Sequence, residues 1–87
     1  MDFNEFAHAV AVDVRRRLPG VTFPLDPPGR NIRLGGATAS ISLDRTHWFV
    51  RFVREGSSLT MPPLSGSDFT PIVASNVAQS IAVFLEP

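Results

Sequence analysis

The stretch GATASISLDRTHWFVRFVR, from Gly36 to Arg54, admits few structures other than a β-hairpin. Residues 37–44 alternate without a break. Ala37, Ala39, Ile41 and Leu43 fall on one face, and Thr38, Ser40, Ser42 and Asp44 on the other, which is the period of a half-buried strand. Residues 47–54 alternate as well, with Trp48, Val50 and Phe52 on one face and His47, Phe49, Arg51 and Val53 on the other. Their β-branched and aromatic content suits a strand.

Three connections test the register. If Asp44 pairs with His47 around Arg45-Thr46, then Leu43 faces Trp48, Ile41 faces Val50 and Ala39 faces Phe52. Gly35-Gly36 is a two-residue hairpin turn, because glycine tolerates positive φ, and it sets Leu34 against Ala37 and Ile32 against Ala39. A turn at Glu55-Gly56 sets Phe52 against Leu59 and Val50 against Met61. All three place apolar residues on one face, and a one-residue slip would destroy that agreement. The prediction is a four-stranded meander over 30–34, 37–44, 47–54 and 57–61. Arg45-Thr46 lacks the residues a primed turn favours, so that loop is expected to widen to four residues.

Two helices frame the meander. In residues 2–18, Phe3, Phe6, Val10, Val14 and Leu18 recur at helical spacing beside Ala7 and Ala11. Asp2 is a favourable N-cap, Glu5 completes a capping box, and Met1 can staple onto Phe6. Arg15, Arg16 and Arg17 complement the dipole of the last turn, and Pro19-Gly20 ends the helix. The connection 19–30, PGVTFPLDPPGR, is stiffened by four prolines, with Phe23 and Leu25 expected to plug the open edge of the core. Residues 62–70 read as a Pro/Ser/Gly loop. Thr70 as N-cap and Pro71 at the first helical position start a second helix running to about Leu85, with Ser67 or Asp68 as alternative caps one turn earlier. Its core stripe is expected at Val73, Val77, Ile81 and Phe84, with Ala74, Ala78 and Ala82 packing closely on Ala7 and Ala11 of the first helix.

The expected architecture is α+β, in the order α-β-β-β-β-α. A four-stranded antiparallel meander carries the N- and C-terminal helices on one face, in two layers and one domain spanning 1–87.

Composition narrows function by exclusion. The chain has no cysteine, so thiolate chemistry and cysteine-based metal sites are ruled out. Eight acids balance eight bases, all of them arginine, which disfavours a general polyanion binder. The opening residues lack a basic, then apolar, leader pattern, and a cytoplasmic setting is the expectation. His8 and His47 stand on different elements without a second ligand at helical spacing, so no metal and no other cofactor is expected.

Ser42, Asp44 and His47 project from the outer face near one turn and supply the residue types of a hydrolytic triad. An open sheet face provides neither an oxyanion hole nor a dry pocket, so the chain is expected not to be an enzyme. The same face carries Arg33, His47, Phe49, Arg51 and Val53 among short Ser and Thr neighbours. Aromatics and Arg in that setting point to a protein-binding patch. The alternative is a nucleic-acid module in which Phe49 stacks a base and Arg33 and Arg51 meet phosphates. The Arg15–Arg17 helix end is a further anion-binding candidate. The second helix has no charge from Phe69 to Leu85, which suggests self-association as a homodimer through its exposed positions Gln79 and Val83.

Overall fold

The computed structural model describes residues 2–23, 31–44, 47–60, 64–65 and 69–86, with backbone alone at 43, 44, 47, 64 and 65. Met1, Leu25 and Met61, and with them the staple, one edge plug and one register pair anticipated above, lie outside the described residues.

Helix α1 (Phe3–Arg17) begins where Asp2 Oδ1 accepts the Glu5 backbone N–H at 2.8 Å. Strands β1 (Asn31–Leu34), β2 (Ala37–Asp44), β3 (His47–Arg54) and β4 (Ser57–Thr60) form an antiparallel meander in that order. Helix α2 (Pro71–Leu85) starts under the Thr70 cap, whose Oγ1 accepts the Val73 N–H at 3.2 Å. The fold is therefore α+β, with helix, four-strand meander and helix in sequence.

The register follows the alternation. Leu34 pairs with Ala37, Ala39 with Phe52, Ile41 with Val50, Leu43 with Trp48, and Phe52 with Leu59. The β2–β3 ladder stays closed to Asp44 and His47, so the widening expected at that connection does not reach the strands. At the other end of β3, Glu55 (φ 51°) and Gly56 (φ 82°) both take left-handed backbone, as a type I′ turn requires. Glu is a poor occupant of that region and Asn a good one. Glu55→Asn is expected to stabilise the chain by about 0.5–1 kcal/mol, raising the melting temperature by several degrees in a domain of this size. Calorimetric melting checks this, and an unchanged or lower midpoint would refute it.

One feature departs from expectation. Residues 62–70 are not wholly loop, because a two-residue strand β5 (Leu64–Ser65) pairs with Trp48 and His47 of β3 and makes the sheet five-stranded. The reason lies in strand length. β4 covers only residues 51–54 of β3, leaving the other half of β3 with backbone groups that need partners. The start of the proline-rich connection is ordered, and Phe23 closes the core edge as expected. Thr22 exchanges both backbone hydrogen bonds with Arg33 at 2.9 Å, while Val21 and Phe23 are buried.

Both helices cover the sheet face formed by Ile32, Ala37, Ala39, Ile41, Trp48, Val50 and Phe52, all buried. From α1 the core receives Phe3, Phe6, Ala7, Val10, Ala11 and Val14, and Leu18 is half-buried at its rim. The buried face of α2 is turned from the expected stripe. Ala74, Val77, Ala78, Ile81, Ala82 and Leu85 face inward, and Val73 and Phe84 sit half-buried at the rim. The small side chains at 7, 11, 74, 78 and 82 let the two helices approach closely, which draws the alanine stripe into the core. Leu59 shares the inner face by register yet is 61% exposed, because it sits on the edge strand beyond the helix layer.

Candidate functional site

The sheet face opposite the helices is the candidate surface, and its layout follows from register. One row across the strands reads Asn31, Ser40, Arg51, Thr60. The next reads Thr22, Arg33, Thr38, Val53, Ser58. Phe49 stands beside Ser42 in a third. Along β3 the side chains of Phe49, Arg51 and Val53 follow one another at about 7 Å, and rows on neighbouring strands lie about 4.8 Å apart.

The exposures fit this layout. Arg33 and Arg51 are exposed, Val53 is 36% exposed, and Phe49 and Ser42 are half-buried. Arg51 lies between Ser40 and Thr60, whose short side chains leave its guanidinium clear of steric cover. Ser40 Oγ donates to Asn31 Oδ1 at 2.9 Å, which fixes two of the polar neighbours in place. The backbone of Arg33 is held on both sides, by Thr38 of β2 and by the Thr22 bridge, so its side chain rises from a rigid base.

The Ser42, Asp44 and His47 grouping is placed by backbone alone. Asp44 is the register partner of His47, whereas Ser42 faces Phe49. The side chains of Asp44 and His47 lie outside the described residues, which also leaves His47 as a backbone position on the candidate surface. Among the described residues, no group of three His, Asp or Glu side chains is placed to hold a metal ion.

The Arg15–Arg17 helix end is largely occupied by other partners. The Arg15 guanidinium stacks over the Phe23 ring at 4.1 Å, with His8 edge-on to the same ring. Arg17 pairs with Asp13 at 3.5 Å and reaches Ser75 Oγ of α2 at 3.5 Å. Arg16 lines an open groove between the helices with His8, Val12, Asp13, Pro71 and Ser75. This end is a junction between α1, the connection and α2.

Gln79 and Val83 of α2 are both exposed, Val83 at 67%. Sequence reasoning missed a third exposed position on the same helix, Ile72, at 75%. It also missed Arg54. That residue lies on the inner face by alternation, and its Nη2 donates to the Phe84 carbonyl at 2.6 Å across the end of α2. A signal for it was present, since α2 has no basic residue of its own in its last turn.

No helix among the described residues is long and apolar enough to cross a membrane. No protein-family model, curated protein or solved structure shows significant similarity to the chain.

Proposed function

We propose that this chain is a small non-catalytic protein-binding module, acting as an adaptor, chaperone or inhibitor, that recognises another protein through its outer sheet face. The observation that supports this is the placement of Phe49, Arg51 and Val53 on the one face of β3 that neither helix covers. Arg33 extends the surface across β1, and His47 extends it along β3. An aromatic, an arginine and an aliphatic residue ringed by short hydroxyls combine apolar area with directional donors, the mixture that carries binding energy at protein interfaces. The reading carries with it the cytoplasmic setting expected from the sequence.

The test is the double variant Phe49→Ser with Arg51→Glu. Truncating a hot spot costs about 2 kcal/mol or more, or roughly thirtyfold in affinity, whereas exposed substitutions shift stability by under about 0.5 kcal/mol. The expected result is a chain that still folds cooperatively, with a melting temperature lowered by several degrees because Phe49 is half-buried, and loss of the protein captured by the wild-type chain from its native host. Normal capture by the folded variant would place recognition elsewhere. Binding to polynucleotide with a steep salt dependence would favour the nucleic-acid reading instead, with Phe49 stacking and Arg33 and Arg51 on phosphates.

A further inference from the structure

The exposed side of α2 is its own chemical mirror image. About a midpoint between Val77 and Ala78, Ile72 mirrors Val83, Ser75 mirrors Ser80, and Asn76 mirrors Gln79. All six residues are exposed. Ile72, Asn76, Gln79 and Val83 recur at intervals of four, three and four, so they form one line along the helix. The pattern along that line is aliphatic, amide, amide, aliphatic.

We propose that this line is a homodimer interface, in which α2 packs antiparallel on α2 of a second copy about a two-fold axis at the midpoint. A two-fold interface must be complementary to itself, and this pattern is. In the antiparallel register, Ile72 of one copy meets Val83 of the other at each end. Asn76 meets Gln79 beside the axis, and because each amide has both donor and acceptor groups, the pair satisfies itself.

Charge supports the same occupant. Nothing between Phe69 and Leu85 is ionisable, so two copies meet without like-charge repulsion and without burying a charge. Glu86 is exposed at the C-cap of α2, the negative end of its own helix dipole, where an acid is disfavoured. The first turn of α2 contains no acid. In the antiparallel pair, Glu86 of each copy comes level with Phe69 of the other, beside the positive helix end that lacks an acid. A partner helix of opposite direction places Glu86 favourably, beside a first turn that carries no acid.

Area sets the strength. Fifteen residues give a helix about 22 Å long, and one helix pair covers less than the roughly 800 Å² per partner of a standard interface. The chain also completes its core within one copy. The dimer is therefore a reversible one in the micromolar range rather than an obligate one.

Sedimentation equilibrium of the full chain, from low to several hundred micromolar, is expected to show a monomer–dimer equilibrium. Ile72→Lys alone and Val83→Glu alone should each raise the dissociation constant at least tenfold while the chain stays folded, with a melting temperature lowered by no more than a few degrees, since both positions are exposed and each new charge opposes only the helix dipole. Mixing the I72K chain with the V83E chain should restore a mixed dimer to within a few-fold of wild type. The opposite charges then meet at one end while Ile72 and Val83 remain in contact at the other. A wild-type chain that stays monomeric throughout would overturn the proposal, as would single variants that dimerise normally. A mixture no tighter than the single variants would overturn the antiparallel register.

Discussion

Trp48→Ala is expected to lower the unfolding free energy by about 3–5 kcal/mol, the largest loss of any single change considered for this chain. The Trp48 ring is fully buried. The Phe6 ring of α1 meets it edge-on at 4.8 Å and 63°, and Phe69, just ahead of α2, lies 6.2 Å away. Phe69 also touches Phe3 and Phe6, so one indole joins the central strand, the first helix and the entrance to the second. A chain of 87 residues has a total stability of roughly 4–13 kcal/mol, and the variant would forfeit a large share of it. Urea unfolding measures the loss. In the wild type, Trp48 fluorescence should be blue-shifted and resistant to iodide. A red, freely quenched spectrum would mean that the helices cover the other face of the sheet.

A double-mutant cycle separates the ring contact from simple burial. Aromatic pairs contribute about 0.5–1.5 kcal/mol beyond the area they bury. Phe6→Leu and Trp48→Leu together should therefore cost less than the sum of the single losses by about that amount. Additivity would show that the two rings only fill space.

The register was legible from sequence because three independent turns had to agree with one alternation. Gly35-Gly36, the Asp44–His47 connection and Glu55-Gly56 each fix pairing by geometry, and all keep Ala39, Ile41, Val50 and Phe52 on one face. The helix caps were legible for a similar reason, since Asp2 and Thr70 act on backbone groups three residues away. What escaped depends on contacts distant in the chain. Leu64 and Ser65 look like loop because prolines precede them and serines surround them, and they become strand only through the unpaired half of β3. The alanine contact between α2 and α1 was legible, but not that it would leave Val73 and Phe84 at the rim, because hydrophobic periodicity does not contain how closely two helices approach. The candidate surface was legible at Arg33, Phe49, Arg51 and Val53, because strand alternation assigns faces directly. Ile72 was overlooked although it lies off both stripes of α2, which at helical spacing already sets it on the side away from Val77 and Ile81.

Arg54→Ala is expected to cost about 2–3 kcal/mol, although the residue is only partly buried and has no carboxylate partner among the described residues. Three contributions combine. The 2.6 Å hydrogen bond to the Phe84 carbonyl is charge-assisted, a class worth about 1.5–3 kcal/mol, and it satisfies an acceptor that the end of α2 leaves open. The positive charge offsets the negative helix end, where α2 supplies no base of its own. The guanidinium lies over the Phe84 ring at 5.3 Å, and that ring packs on Phe52 at 4.5 Å, so the arginine stem seals the edge of the core. One contribution opposes these, because Arg54 Nε is buried without an acceptor among the described residues. Arg54→Met removes that penalty and keeps the stem, so it should cost less, about 1–1.5 kcal/mol. Arg54→Lys keeps the stem, the charge and a donor and loses only the planar stack, so it should cost least of the three. Urea unfolding of the three variants therefore gives the order Ala, Met, Lys from most to least damaging. If Met proves as damaging as Ala, the guanidinium rather than the stem carries the whole effect. If all three match the wild type, α2 is held by its alanine face alone and the bond to Phe84 contributes nothing.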